Sequence, residues 1–414
     1  MNVEGLAPGE QPTLRRELGL PLLTLYGLGN ILGAGIYVLV GKVAGSAGMF
    51  APISFLVACA LAALTAISYA ELSARLPLSA GESVYVEHGL RSRRLGVAVG
   101  LLIAASGVVS AATIARGFVG YLHVFVPAPD WLVIISVVLA LGAVAAWGIR
   151  ISSWSAAAIT IVETAGLLLI LGVAGRSLAD LPSRVEELLP PLDGAQWQGI
   201  LLGSFLAFYA FIGFEDMVNV AEEVREPTRT LPLGIFLSFG IATVLYLLVA
   251  LVAVLAVPPH NLGESAAPLA LVYQEATGAY PVWISLISLF AVVNGALIQI
   301  IMASRIAYGM SRQGWLPERL GRVHPGTRTP LLSTAVVTTA VLILAIWLPL
   351  VSLAQATSFL LLIVFCLVHL SLWRIKRSEP CPLGVRTYPI WVPLLGFAST
   401  GLFVLFQMSH VLPP

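Results

Sequence analysis

Glycines and carboxylic acids set inside long apolar runs are the residues of this chain that could do chemistry. The segment 27–41 reads GLGNILGAGIYVLVG, within an apolar run from 20 to 43, and Gly33, Ala34 and Gly35 cluster near its middle. A glycine inside a helix costs about 1 kcal/mol relative to alanine, so the cluster predicts a helix that breaks. In hydrocarbon a break is tolerated only where the freed backbone groups face protein, ligand or a water-filled cavity. The segment is therefore a candidate binding site, unless its glycines serve only close packing between helices. The chemistry on offer is that of bare peptide dipoles. A half-helix N-terminus presents N–H groups to an anion, and a half-helix C-terminus presents carbonyls to a cation. Both charges of a zwitterion can be met this way without a charged side chain.

Three acids sit in similar surroundings. Glu163 lies in AITIVET (158–164), while Glu215 and Asp216 interrupt a second run, GSFLAFYAFIGFEDMVNV (203–220). A charge at a helix centre costs about 2.5–3.5 kcal/mol on insertion scales, so intramembrane acids usually face a cavity. Glu163 is either a group that takes up and releases a proton, or a neutral or paired acid that holds the first helix. Glu215 either senses pH beside the site or serves a structural hydrogen bond. Asp216 could favour a cationic substrate, although helical neighbours about 100° apart need not share a cavity.

Composition sets the elements that must position these residues. Of 414 residues 58% are hydrophobic and 10% charged, with mean hydropathy +0.94. A soluble domain carries about 25% charged residues, so the chain is an integral membrane protein. Runs long enough to cross a bilayer number about eleven: 20–43, 48–75, 95–126, 131–149, 152–175, 198–221, 231–257, 281–310, 331–348, 352–373 and 388–411. The ninth and tenth are divided only by Pro349, and the long third and eighth extend past the hydrocarbon or tilt. Residues 1–17 are polar, so no cleavable signal peptide is expected. The 176–196 loop, with Pro182, Pro190 and Pro191, reads as an extended cap.

Arginine placement orients the chain. With a cytoplasmic N-terminus (1–19), one side collects Arg15, Arg16, Arg75, Arg91, Arg93, Arg94, Arg150, Arg225, Arg229 and the basic residues from Arg305 to Arg386. The other receives Lys42, Arg176 and Arg184. By the positive-inside rule this puts the C-terminus outside; the membrane expected is the cell (inner) membrane. Two interrupted runs, opening two blocks of five spans, point to a transporter site, and an odd count per block inverts one block relative to the other. The transmembrane domain (20–411) thus divides into a first repeat (20–175), a second repeat (198–373) and an extra helix (388–411).

The residues that carry a family likeness follow in order. They are Gly33-Ala34-Gly35-Ile36; Tyr69-Ala70-Glu71-Leu72, Pro77, Ala80-Gly81-Glu82-Ser83 and Tyr85; and Phe211-Ile212-Gly213-Phe214-Glu215. After these come Glu222-Glu223-Val224-Arg225-Glu226-Pro227 and Pro232, then Ser304-Arg305, Tyr308-Gly309-Met310-Ser311-Arg312, Gly314, Leu316-Pro317, Val323-His324-Pro325 and Thr329-Pro330. Together these resemble the amino acid/polyamine/organocation (APC) superfamily, and within it bacterial permeases similar to cationic amino acid transporters. The resemblance implies an all-α, LeuT-like fold with a 5+5 inverted repeat and broken first and sixth helices, working as a secondary active transporter by alternating access. It implies that amides at Gly33, Ala34, Gly35 and Ile36 hold a substrate carboxylate, and that carbonyls near Ile31 and from Phe208 to Phe211 take its ammonium. Phe208, Phe211 and Phe214, with Gly213, would shape pocket and gate, the alternative being lipid or helix packing. Related sodium-independent permeases have a lysine at the position of Glu163; this chain departs from them with a carboxyl.

A proton is the expected coupling ion, with sodium-coupled symport or amino acid/amine exchange as the alternatives. Sodium would want oxygen ligands, and 289–293 offers no hydroxyl, though Ser285, Ser288 and Asn294 are near. Asn294 and Gln299 read as helix-joining amides. Cys59, Cys366 and Cys381, like the six histidines, lack metal-ligand spacing, so no metal or other cofactor is expected. Glu222, Glu223, Arg225 and Glu226 are candidates to latch onto Arg75, Arg305 or Arg312. The partners expected are an amino acid and membrane lipids, with no nucleic acid; monomer or homodimer stays open. A channel or an intramembrane enzyme is the different-class alternative, but the acids lack a nucleophile or metal set beside them.

Overall fold

The computed structural model describes residues 16–78, 81–148, 153–191 and 193–411. Most of the 1–19 tail, with Arg15, and also Ala80, Arg150 and 412–414 lie outside the described residues. Regular structure among the described residues is helical, with one isolated parallel bridge between Leu18 and Val224. The helices are α1 (Leu20–Leu32), α2 (Ala34–Ala47), α3 (Ala51–Arg75), α4 (Gly81–Leu90), α5 (Arg93–Leu122) and α6 (Asp130–Trp147). They continue as α7 (Ser153–Ala174), α8 (Leu181–Arg184), α9 (Gly194–Phe211), α10 (Pro227–Ala256) and α11 (Pro259–Glu264). The last are α12 (Pro268–Thr277), α13 (Val282–Arg312), α14 (Leu331–Trp347), α15 (Leu350–Ser378) and α16 (Trp391–Val411).

Each of the eleven predicted spans is occupied by helix. Nine stretches among the described residues are long and apolar enough to cross a bilayer. The first of them, Leu20–Arg75, holds two predicted spans, and the apolar α14 adds a shorter one. Local chemistry sets the boundaries. Gly148 ends α6 in the left-handed conformation (φ 82°), a usual glycine stop. Pro349 divides α14 from α15 by capping the latter, and Pro227 opens α10, where its missing N–H costs nothing. The loop read as an extended cap is instead a chain of tight turns: a 3-10 helix over Gly175–Asp180, α8, and a second 3-10 helix over Val185–Leu188. Pro182 there sits in the first turn of α8 and starts helix rather than stopping it.

Packing relates the two blocks of five. Helix α3 lies on α10, α5 on α13 and α6 on α14, each the counterpart of the other. The remaining pairings exchange in the same way: α1 on α10 with α9 on α3, α1 on α7 with α9 on α15, α5 on α15 with α13 on α7, and α5 on α14 with α13 on α6. The interrupted segments α1–α2 and α9 run through the middle of this arrangement; Gly33 and Gly213 at their breaks are buried and Ile212 is half-buried.

Candidate functional site

Helix α1 ends at Leu32, Gly33 turns with φ −20° and ψ −147°, and α2 restarts at Ala34. In the second interrupted span α9 ends at Phe211, Ile212 is extended (φ −63°, ψ 137°), and Gly213 has φ 128°. The chain resumes as a 3-10 helix over Glu215–Glu223. Glycine enters that positive region without the clash a Cβ would bring. A Cβ on Gly213 would also lie 2.4 Å from the Asn30 carbonyl oxygen, and one on Gly35 would lie 2.5 Å from Ala210 Cα. The two breaks therefore touch, backbone on backbone. Packing and breaking, alternatives in the sequence, are both true of this glycine cluster.

The groups freed by the breaks are partly re-satisfied by side chains. Tyr246 of α10 donates its hydroxyl at 2.6 Å to the Ile31 carbonyl and stands 3.0 Å from that of Ala210. One phenol thus serves a carbonyl from each broken helix. Glu215 Oε2 accepts from the Gly213 N–H at 2.8 Å. The first N–H groups of α2, at Ala34, Gly35 and Ile36, have no intrahelical acceptor, as at any helix start.

Beside the breaks lies a small cavity of ≈ 30 Å³. Its walls are Gly29, Asn30, Ile31, Gly33 and Gly35 from the first interrupted span, and Tyr209, Ile212 and Asp216 from the second. Helix α5 adds Ser110 and Ile114, and α13 adds Gly295, Ile298 and Gln299. The hydroxyls of Ser110 and Tyr209 bond at 2.8 Å. Buried Asn30 Nδ2 has no hydrogen-bond partner.

The expected site residues distribute unevenly around this space. Ile31, Gly33, Gly35 and Asp216 line it; Ala34 opens α2, and Ile36 is fully buried behind it. Phe208, Phe211 and Phe214 are not among its walls. Phe208 packs on Phe365, Phe211 on Phe55, Phe239 and Tyr246, and Phe214 on Tyr69, Phe239 and Phe365. These rings form a buried aromatic cluster behind the break, the helix-packing arrangement. Glu215 and Asp216 diverge: the first turns back to Gly213 while the second faces the cavity.

Glu163 is buried on α7, between the first interrupted span and α13. One turn before it, Thr160 donates to the Leu25 carbonyl at 3.0 Å. The Tyr37 hydroxyl of α2 donates to the Glu163 main-chain carbonyl, and Asn294 Nδ2 of α13 reaches Glu163 Oε1 at 3.3 Å. Glu163 Oε2 has no partner. Asn294 thus joins helices as expected, whereas Gln299 faces the cavity.

Two groups toward the arginine-rich end complete the picture. Glu82 of α4 accepts from the Tyr69 hydroxyl at 3.1 Å. Its burial pushes it from 4.5 up to about 7, with Asp216 nearby adding to the rise and hydrogen bonds opposing it. Arg75 does not take the acids that follow the sixth span; it pairs with Glu71 at 2.8 Å on its own helix, a spacing of four residues that brings side chains together. Glu71 is also held by Lys376 at 2.7 Å and by the Tyr388 N–H at 3.0 Å.

Sequence reasoning missed Tyr246, Asn30, Ser110, Tyr209 and Gln299. Asn30 lies inside the glycine segment itself and could have been picked out there; Tyr246 is one hydroxyl in an apolar run, with no sign of the way it faces.

Residues 18–413 match the family described as amino acid permease. An uncharacterized transporter of Mycobacterium tuberculosis is 32% identical over 386 residues, 92% of this chain and 84% of that protein. The branched-chain amino acid permease BcaP of Bacillus subtilis is 28% identical over 98% of this chain and 90% of its own. Human cationic amino acid transporter 4 is 31% identical over 89% of this chain and 61% of its own length. With a match that spans nearly all of its length, the chain belongs to the amino acid permease family.

Proposed function

We propose that this protein is a proton-coupled secondary active transporter that carries an amino acid by alternating access. The meeting of two backbone breaks beside one cavity supports this reading most. The substrate carboxylate is received by the N–H groups at the start of α2, at Ala34, Gly35 and Ile36, where the helix dipole is positive; the Gly33 N–H is already taken by the Gly29 carbonyl at 3.3 Å. The ammonium lies toward the carbonyls at the ends of α1 and α9. Each carbonyl has a second lone pair, so Tyr246 on Ile31 leaves room for a second donor. The transporter unit spans 20–411, with repeats at 20–175 and 198–373. Its arginine-rich end faces the cytoplasm of a cell (inner) membrane and its C-terminus lies outside.

Glu163 carries the coupling proton in this reading. It stands where the first span, α7 and α13 meet, and its free carboxylate oxygen gives a proton somewhere to sit. Protonated, that oxygen gains a hydroxyl able to donate to a neighbour; ionised, it stands bare beside the broken first span. The test is uptake by proteoliposomes under an imposed pH gradient. Wild type should accumulate an amino acid saturably, and Glu163→Gln should keep binding, read as a ligand-induced thermal shift, while losing pH-driven accumulation. Unaltered pH-driven uptake by that variant would remove Glu163 from the coupling role.

A further inference from the structure

The arginine-rich end holds a groove well apart from the central cavity. Helix α4 meets the end of α15 with no side chain between them: a Cβ on Gly89 would lie 2.6 Å from Ser371 Cβ and 2.7 Å from its Cα. That close approach brings Arg91, just past α4, alongside Arg374 and Arg377 in one groove with Trp373. The Arg377 guanidinium stacks 4.9 Å from the centre of the Trp373 ring. Across the start of α5 the arrangement recurs, with Arg93 at 5.2 Å over Trp315 and Arg94 beside it.

These five arginines are exposed while both indoles are half-buried. None of the ion pairs among the described residues involves them, and the groove holds one carboxylate, Glu87, against three guanidiniums. Stacking on an indole fixes a guanidinium while leaving its N–H fork open to an oxyanion. Tryptophan at the end of a membrane helix marks the depth of lipid headgroups. Topology alone asks for positive charge at this end; it does not ask for arginines gathered by two helices and held on indoles.

We propose that this groove binds the phosphate of an anionic phospholipid, with Arg91, Arg374 and Arg377 around the phosphate and Trp373 at the acyl boundary. Basic recesses between membrane helices suit such headgroups. The partner is a lipid rather than free phosphate because the groove lies at the end of α15, a helix long and apolar enough to cross a bilayer.

Native mass spectrometry of the purified protein tests this with phosphatidylglycerol and phosphatidylcholine at equal concentration. Wild type should retain phosphatidylglycerol selectively, and excess inorganic phosphate should not displace it. Each arginine neutralised should lower retention about fivefold, the effect of one basic residue near an anionic surface. Retention should collapse in R91Q/R374Q/R377Q and persist in R319Q/R322Q, whose arginines lie outside the groove. Equal retention of the two lipids by wild type overturns the proposal without any variant. So do displacement by phosphate, unchanged retention in the triple variant, or an equal loss in R319Q/R322Q.

Discussion

Tyr246 ties one broken helix to the other through a single hydroxyl. Its removal in Tyr246→Phe leaves two buried carbonyls, of Ile31 and Ala210, without that donor. A buried acceptor left unmatched costs about 1–3 kcal/mol, so the variant should melt earlier and respond less to amino acid in a thermal-shift assay. Unchanged melting together with an unchanged ligand response would show that the phenol does not hold the breaks. The acids divide by the same reasoning. Glu215 is engaged with the Gly213 N–H, a fixed structural use, while Glu163 keeps one oxygen free. Both carboxylates keep lone pairs able to take a proton; Glu163 differs in having one buried oxygen with no partner, and a sequence cannot state which of two buried acids has such an oxygen.

Among the elements, α4 was the least visible in advance. It is short, of mixed polarity without an apolar face, and lies between spans, so neither bilayer length nor apolarity announces it. It packs where a Cβ on Gly81 would come within 2.9 Å of Val218 and Asn219, and it brings Glu82 next to the second break. With burial holding Glu82 near 7 rather than its ordinary 4.5, the folded protein binds more protons than the unfolded chain between those values. Stability from this group is therefore complete below pH 4.5, falls as pH rises to about 7, and stays low above it. Glu82→Gln should melt higher than wild type at pH 8, by roughly 3 kcal/mol at most, and the two should converge near pH 4. Equal melting at both pH values would mean that Glu82 ionises in the fold without penalty. The long spans were legible because a bilayer fixes their length, and the breaks because glycine is costly in a helix. Facing was not legible: a helix apolar on all sides carries no stripe to say which side meets protein. That is why Phe208, Phe211 and Phe214 were placed at the pocket when they pack behind it.

At the scale of the molecule, the helices of the two broken spans pack on one another and on α3, α7, α10 and α15, so both breaks lie among the same helices. Opposite ends are fastened differently. At the arginine-rich end the buried Glu71 joins α3 to α15 through Lys376 and reaches the Tyr388 backbone; at the other, Lys42 of α2 donates to the Ser265 carbonyl between α11 and α12 at 3.3 Å. Alternating access requires contacts at the two ends to open in turn while the centre keeps its substrate. The centre is thus the claim on which the rest depends: peptide dipoles at the two breaks hold both charges of an amino acid. Competition binding with the amino acid that gives the largest thermal shift tests it directly. Its methyl ester, which lacks the carboxylate, and its N-acetyl derivative, which lacks the ammonium, should each fail to displace the labelled parent. Displacement by either derivative at the parent's own concentration would contradict it.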